Sequence, residues 1–543
     1  MSKTKTPSTR PPTRHAKEQV AESTQRLTVR EAVFDLFRSF GMTTVFGNPG
    51  STELPMFKEF PDDFRYVLGL QESIVLGMAD GFAQTNRRPA LVNLHSSAGV
   101  GHALGNLFTA YRNQTPLVVT AGQQARSIMP LEPFLFAQQA TDFPKPFVKW
   151  ACEPARAEDV PAAIARAYYV AMQPPRGPTF VSIPIDDWER VCMPVAPRHV
   201  SDSIRGDEAM LDAAAKALDK AARPAIIVGA GVARDDAWDE VIALAEKHQA
   251  QVWVAPFSSR NSFPEDHRLF AGFLTPAREA VVAALSGHDF ILVLGAPVFT
   301  YHIEGFGPCA PEGSTLVQLV DDPTIAAWAP VGTAIVTSIK TGVGDLLARA
   351  QPRVRAAPKP LVRPRKLTGG KLTDSYLCQQ IATLRPKGAV IVEEAPSTRG
   401  PMHDHLPMID RDTFYTCASG GLGHALPAAI GVALARPKDK VIALLGDGSS
   451  MYAIQGLWSA AQLGLSVTFI IVKNGRYEAL YEFGRRFGLD RTPGADLPEI
   501  DFCALARGQG VAARHADSTA DLDEALLEAF RMKGPSLVEV SVE

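Results

Sequence analysis

The sequence predicts an α/β protein built of three doubly wound, parallel-sheet domains. Three observations predict it. Short apolar runs of strand length alternate with helical patterns along almost the whole chain, the pattern of parallel sheets covered on both faces. Two breaks interrupt the alternation: a polar link around 196–206, and RAQPRVRAAPKPLVRPRKLTGG (349–370), dense in proline and basic residues. A chain of 543 residues also suits about three domains of ordinary size. The resulting boundaries are 1–25 for a polar, disordered tail, 26–195 and 205–348 for the first two domains, 349–370 for a linker, and 371–543 for the third.

In the first domain a helix starts near Leu27 with Thr28 as its N-cap and Val33, Phe34 and Phe37 on its apolar face. TTVFGNPGSTELPMFKEF (43–60) reads as strand, Gly/Pro turn and short helix. RYVLGL (65–70) is a strand that runs into Gln71-Glu72, and ESIVLGMADGFAQ (72–84) is helical. PALVNLHSSAGVGHALGNLFTAYRN (89–113) repeats strand, glycine turn and helix, PLVVTAG (116–122) is a buried strand, and TFVSIPID (179–186) closes the unit.

The second domain opens with a helical pattern over 208–222 and takes PAIIVGAGVA, QVWVAP, DFILVLGAP and TLVQLVDDP as central strands. Gly229 and Gly231 begin a dinucleotide-like motif, but Arg234 stands where a third glycine belongs. Tight strand–helix packing is the expected use of those glycines, and flavin is not expected.

The third domain holds KVIALLGDGSSMYAIQGLWSAAQLGLSVTFIIVKN (440–474). VIALL is a buried-type strand ending on Gly446-Asp447-Gly448. A helical stripe follows through Ile454, Leu457, Trp458, Ala461 and Leu463, and VTFIIV is a second strand ending on Lys473-Asn474. A βαβ unit runs its strands parallel, so Asp447 and Asn474 share the carboxyl edge of the sheet, where open α/β folds bind ligands. Two hard oxygen ligands beside glycine amides and a helix N-terminus suit Mg²⁺ carrying a diphosphate. A helix (520–533) and the strand SLVEVSV end the domain.

Composition excludes several classes. With 46% hydrophobic and 21% charged residues the chain reads as a soluble globular protein, and a net charge of -3 argues against nucleic acid as a partner. No apolar run approaches the ~18 residues of a membrane span. The first 25 residues lack the apolar core of a secretory signal. Six cysteines without CxxC spacing suggest reduced thiols and a cytoplasmic setting.

GDG followed by roughly 25 residues and an asparagine resembles the motif of thiamine-diphosphate (ThDP) enzymes. FGNPGSTELP (46–55), LGLQESIVLGMADGFAQ (68–84), NLHSSAGVGHALG (93–105), PLVVTAGQQ (116–124), GAPVFTYH (295–302) and ASGGLGHALPAAIG (418–431) narrow the likeness. Together they resemble the benzoylformate decarboxylases, ThDP-dependent 2-oxo acid decarboxylases, over all but the N-terminal tail. The resemblance implies ThDP and Mg²⁺ as cofactors and a small 2-oxo acid as substrate. It makes Glu72 the acid that hydrogen-bonds the cofactor's pyrimidine, and Ser51, His95 and His302 the groups lining the reaction centre. Leu422 becomes the wedge that bends the cofactor, and Gly446, Asp447, Gly448, Ser449, Asn474 and Ser397 its diphosphate neighbourhood. Asp447, Asn474 and the carbonyl of Arg476 become the Mg²⁺ ligands, and Phe134, Leu135, Ala479, Leu480 and Phe483 the apolar walls of the substrate pocket. Glu72 and the diphosphate site lie in different domains, which in this family meet across a subunit contact. A homodimer or homotetramer is therefore expected, with no nucleic-acid or membrane partner.

The likeness has departures. Arg476 and Glu478 replace smaller residues, Lys473 replaces the first of two asparagines, Thr416 stands where an aromatic residue is usual, and Pro396 and Arg399 stand where the family has small hydroxyl residues. These charges either pair locally or retune the accepted side chain. Carbon–carbon ligation or cleavage, as in acetohydroxyacid synthases and 2-hydroxyacyl lyases, is the alternative activity, and a non-catalytic cofactor-binding protein on the same fold is a further one.

Overall fold

Alternating apolar runs become three sheets of six parallel strands each in the computed structural model, which describes residues 26–542. The tail expected over 1–25 lies outside the described residues. In spatial order the first sheet is Arg65–Leu68, Thr44–Gly47, Ala90–Leu94, Leu117–Gln123, Pro178–Pro184 and Ala151–Cys152. The third is Phe414–Thr416, Val390–Glu394, Val441–Gly446, Val467–Lys473, Ser536–Ser541 and Ala512–Ala516, with the same connectivity as the first. The central sheet is Phe270–Phe273, Gln251–Val254, Pro224–Val228, Phe290–Leu294, Thr315–Val320 and Thr333–Val336. That is the Rossmann order.

The chain reverses its direction of strand addition between Thr44–Gly47 and Ala90–Leu94 in the first sheet, and between Val390–Glu394 and Val441–Gly446 in the third. Ligands bind open α/β sheets outside the carboxyl ends of strands at such points. Gly47, His95, Glu394 and Asp447 all lie there.

The sequence reading missed the short strands at Phe270–Phe273, Thr333–Val336, Phe414–Thr416, Ala512–Ala516 and Ala151–Cys152. Each lies at the edge of its sheet; four are only partly buried and so carry no continuous apolar run, and Phe414–Thr416, though buried, is just three residues long. It also missed the fully buried strand Val390–Glu394, whose last two residues are acids. The single helix expected after Gly448 is two, Asp447–Met451 and Gly456–Leu463. Thr28 does cap the first helix, in a reciprocal capping box with Glu31.

Gly229 and Gly231 serve packing. A Cβ on Gly231 would sit 2.6 Å from the Cα of Gly295, at the turn leaving the neighbouring strand. The proline-rich segment is extended but anchored. Arg355 donates to the carbonyls of Leu218, Asp219 and Ala221 at 2.6–2.9 Å, closing the end of the helix Glu208–Lys220. Arg363 donates to the carbonyls of Glu265 (2.8 Å) and His403 (3.0 Å), tying the central domain to the third.

The first and third domains share one hydrophobic core, which runs from Phe46 and Val92 to Val441 and Phe469. Its seam is the contact of the helix Glu72–Asn86 with the helix Ala425–Ala435. Their backbones touch through glycines: a Cβ on Gly431 would lie 1.9 Å from the carbonyl oxygen of Met78, and one on Gly81 2.2 Å from that of Ala428. All six cysteines are unpaired, and among the described residues no helix is long and apolar enough to cross a membrane.

Replacing Gly431 with alanine pushes a methyl group into backbone that cannot yield. The expected loss is about 1–3 kcal/mol, read as a lower thermal midpoint. Gly344→Ala, in a helix with nothing within 4 Å of its Cβ, should be neutral or stabilising.

His248, 1% exposed beneath Arg355, supplies a pH test. Burial, and then the Arg355 guanidinium, push it from its ordinary 6.5 down to about 4. Between those values the unfolded chain binds the extra proton, so folding stability falls as the pH drops. The loss is at most about 1.4 kcal/mol per pH unit from this residue. Urea midpoints from pH 7 to 4 should fall more steeply for the wild type than for His248→Gln.

Candidate active site

The turn after Thr44–Gly47 and the end of Ala90–Leu94 build one half of the site. Ser51 opens a 3₁₀ turn, Ser51–Glu53, and is exposed. His95 is the first residue beyond its strand, with Nδ1 2.9 Å from Glu53 Oε2 and 3.0 Å from Thr52 Oγ1. Glu53 is buried and also accepts from the amides of Gly50 (2.9 Å) and Gly122 (3.0 Å). An acceptor at Nδ1 assigns a ring proton to that atom, and Nε2 makes no hydrogen bond among the described residues. Gly50 is obligatory here, because a Cβ would lie 2.1 Å from the His95 ring.

Glu72 is the first residue of its helix, yet it does not cap it. Gln71 does so, accepting from the amides of Ser73 (2.7 Å) and Ile74 (3.2 Å). The buried Glu72 carboxyl is held instead by side chains: Oε1 takes Asn48 Nδ2 at 3.3 Å, and Oε2 lies 3.1 Å from His102 Nδ1. Ordinary helix-dipole compensation at Glu72 is therefore a poor account of this geometry.

The other half lies on the third sheet. Asp447 is 4% exposed, and its carboxylate accepts from the amides of Gly448 (2.7 Å), Gly475 (2.7 Å) and Asn474 (3.1 Å). Burial raises its pKa, and those amides oppose the rise. Asn474 Oδ1 accepts from the Arg476 amide at 3.2 Å, and the Arg476 carbonyl accepts from the Glu478 amide at 3.0 Å. One carboxylate, one amide oxygen and one carbonyl at the ends of neighbouring strands form a donor set that fits a hard divalent cation. Gly448 packs under Tyr477, whose ring a Cβ would meet at 2.2 Å.

Gly446 ends the strand before Asp447, and Ser449 Oγ donates to the carbonyls of Glu394 (2.7 Å) and Gly446 (3.0 Å). Ser397 lies in the adjacent 3₁₀ turn, Pro396–Thr398, half-buried. Leu422 is carried by the turn before the helix Ala425–Ala435. Glu394 shapes that turn, accepting from the amides of Gly423 (2.6 Å), His424 (2.8 Å) and Ala425 (2.7 Å). Burial pushes the Glu394 carboxyl up to about 6, against those same amides.

His302 is exposed on the central domain and packs against the rings of Phe483 (5.0 Å between centroids) and Phe257 (6.1 Å). It lines a cavity of about 740 Å³ between the central and third domains, with Ala479, Phe483, Pro396, Arg399 and Thr416.

Within one chain the five residues expected as apolar walls fall on two separate half-sites. Ala479 and Phe483, four residues apart on the helix Glu478–Arg485, face the cavity, whereas Leu480 is a third of a turn away and 51% exposed. Phe134 is 88% exposed, and Leu135 offers its carbonyl to Ser96 Oγ on the first domain. Neither lines the His302 cavity, nor do Ser51, Glu72 or His95. Among the departures, Arg476 is paired with Glu478, while Pro396, Arg399 and Thr416 do reach the cavity.

Glu53, Glu394, Asn48 and His102 were not singled out from sequence. The signal for the two acids was their place, three residues after a turn glycine or at the end of an apolar strand.

Three family models match in order: thiamine pyrophosphate enzyme N-terminal TPP binding domain at 27–142, central domain at 211–346 and C-terminal TPP binding domain at 398–540. A benzoylformate decarboxylase of Pseudomonas aeruginosa is 44% identical over 95% of this chain and 99% of its own length. The crystal structure of benzoylformate decarboxylase from Polynucleobacter necessarius is 41% identical, with a TM-score of 0.93 over 95% of this chain and 98% of that one. The thiamine diphosphate-dependent 4-hydroxybenzoylformate decarboxylase of Rhodococcus jostii RHA1 is 40% identical, with a TM-score of 0.92 over 95% and 99%. With its sheets, its two glycine turns and these relatives in agreement, the chain belongs to the thiamine-diphosphate enzymes and, within them, to the benzoylformate decarboxylase family.

Proposed function

We propose that this protein decarboxylates an aromatic or similarly bulky 2-oxo acid of the benzoylformate type, without oxidation, to an aldehyde and CO₂. The observation that carries the reading is the Glu53–His95 pair beside Ser51, one short turn from the buried carboxyl of Glu72. A fixed imidazole with a free Nε2, next to an exposed hydroxyl, is what proton transfer to a 2-oxo acid requires.

Asp447, Asn474 and the Arg476 carbonyl would hold Mg²⁺ and through it ThDP, which would supply the electron sink that makes loss of CO₂ feasible. The chain's own residues do the rest. Glu72 presents its carboxyl, fixed by Asn48 and His102, to the pyrimidine ring. Ser51 Oγ donates to the substrate carboxylate. His95 Nε2 takes and returns a proton at the substrate oxygen or carbon, while Glu53 keeps the ring oriented. His302, on the Phe483 side, closes the site opposite and serves product release.

Glu72 and His302 belong to separate half-sites of one chain, so the working centre is assembled by two copies. Exposed apolar side chains on both halves support that assembly: Leu54, Leu131 and Phe134 around the first, Leu480 and Phe487 around the second. A homodimer is the minimum, a homotetramer two such dimers. Six unpaired thiols suit a cytoplasmic setting. Ligation of the aldehyde to a second carbonyl remains a side reaction of the same centre, and the paired histidines favour decarboxylation as the main one.

Purified protein loaded with ThDP and Mg²⁺ should release aldehyde from benzoylformate or a ring-substituted analogue. Chelation should abolish this, and Asp447→Ala should not recover with added metal. No aldehyde from a broad panel of 2-oxo acids would remove the reading.

His95→Ala should lower kcat by about 10²–10⁴. Glu53→Gln keeps the shape of the side chain but not its charge. As a positioning residue it should cost kcat about tenfold or more while leaving KM within about twofold. A Glu53→Gln enzyme with wild-type kcat would show that the pair is only structural.

A further inference from the structure

The third sheet carries another group of metal-ligating side chains, which shares no member with the Asp447 donor set. Asp501, Cys503 and Glu539 each present one donor atom, and the three atoms lie within 4.8 Å of one another. Asp501 caps the helix Phe502–Gly508, Cys503 is the second residue of that helix, and Glu539 lies on the strand Ser536–Ser541. His515, on the edge strand Ala512–Ala516, pairs with Glu539 in the sheet register, and its Nδ1 stands 3.5 Å from Glu539 Oε1. All four side chains line a surface cavity of about 430 Å³.

The fold does not consume these groups. Asp501 spends one oxygen on the Ala504 amide at 2.8 Å, and the other makes no hydrogen bond among the described residues. Glu539 is 3% exposed. Its two oxygens accept from Lys473 Nζ at 2.7 Å and from the Cys503 amide at 3.1 Å, and each keeps a second lone pair. Burial, and then the charge of Glu539, push the Cys503 thiol up to about 11. Near neutral pH it is therefore protonated, and a bound cation would take the place of that proton.

We infer that this cluster is a further cation site, taking one divalent ion of the Zn²⁺ class through Cys503, Glu539, Asp501 and His515. Thiolate, imidazole and carboxylate in one set suit such an ion, whereas Mg²⁺ selects oxygen alone. Donors at tetrahedral bond lengths stand about 3.3–3.8 Å apart, so the cluster closes by about 1 Å, a matter of side-chain rotation at the exposed Asp501 and His515.

The charges close as well. One thiolate and two carboxylates offset the divalent ion and the ammonium of Lys473. That lysine stands where the family has an asparagine, and it also donates to the Ile500 carbonyl at 2.6 Å, bracing the chain just before Asp501. Glu499 and Arg507, the remaining charges along the cavity, offset each other.

The site takes no part in the reaction, so its test does not depend on turnover. The probe is Co²⁺, added to the full-length enzyme loaded with ThDP and excess Mg²⁺. Oxygen-ligated Co²⁺ gives only weak visible bands, whereas thiolate ligation adds a strong sulfur-to-metal charge-transfer band in the near ultraviolet. That band should saturate at about one Co²⁺ per chain and be erased by Zn²⁺. Binding should release about one proton, read by calorimetry in buffers of different ionisation enthalpy.

Cys503→Ser should remove the band. The surface variants His515→Gln and Asp501→Asn should keep it but weaken Co²⁺ binding by at least about tenfold, and they decide the matter if Cys503→Ser fails to fold. A missing band in the wild type, or one that Cys503→Ser retains, overturns the inference. Unchanged affinity in both surface variants overturns it too, since the cluster would then be an isolated thiol.

Discussion

Asp80 and His424 meet at 2.5 Å with no exposure to water, and the two cofactor-binding domains depend on that contact. Burial opposes both charges, but the pairing outweighs it, holding Asp80 below and His424 above their ordinary values. Gln84 and Asn113 satisfy the same carboxylate oxygen at 2.7 and 3.1 Å. Removing one member of such a pair leaves the other charge uncompensated, at a cost of about 3–5 kcal/mol. The pair also reaches the site directly. His424 stands two residues from Leu422, and its amide is one of three that Glu394 accepts. Asn106 adds a bond to the Gly423 carbonyl at 3.2 Å from the first domain. The turn that carries Leu422 is thus set by a strand end in its own domain and by two helices in the other.

That architecture explains what could be read from sequence. The apolar runs, the GDG turn and the parallel pairing of Val441–Gly446 with Val467–Lys473 are local or nearly so, and they survive folding unchanged. Asp447 and Asn474 fall on adjacent strand ends because a βαβ crossover leaves them nowhere else. Glu72 and His95 were legible because each ends an apolar run, and the sheet delivers both to the same edge. The glycines of GAGVA were legible as packing residues because the motif stops at Arg234.

The rest depends on long-range satisfaction of buried polar groups. Glu53 earns its place through amides of Gly50 and Gly122, the latter 69 residues away. Glu394 closes a turn 29–31 residues downstream. Neither acid shows its partner in a local pattern, and a strand ending in two glutamates, Val390–Glu394, reads as surface until its neighbours are known. The substrate walls divide between half-sites for a related reason. Phe134 and Leu135 lie on the half-site with Ser51 and His95, Ala479 and Phe483 on the half-site with His302, and likeness along the chain does not separate the two.

The division has a consequence for how such an enzyme changes its substrate. Acids that shape the cofactor's surroundings, Glu53, Glu394 and Asp447, are each tied to two or three backbone amides, so a substitution there disturbs main chain on more than one element. Arg399, Thr416, Ala479 and Phe483 face a cavity between two domains with fewer obligations. Arg399 is bound to Glu393 and Thr416, at the ends of the two paired strands Val390–Glu394 and Phe414–Thr416. Side chains there can be exchanged in pairs without moving the amides that hold Asp447 or the turn that carries Leu422. Two of the residues that depart from the family pattern, Thr416 and Arg399, are in that freer set. Buried backbone hydrogen bonds therefore hold the chemistry in place, and the identity of the acid is decided where those bonds are absent.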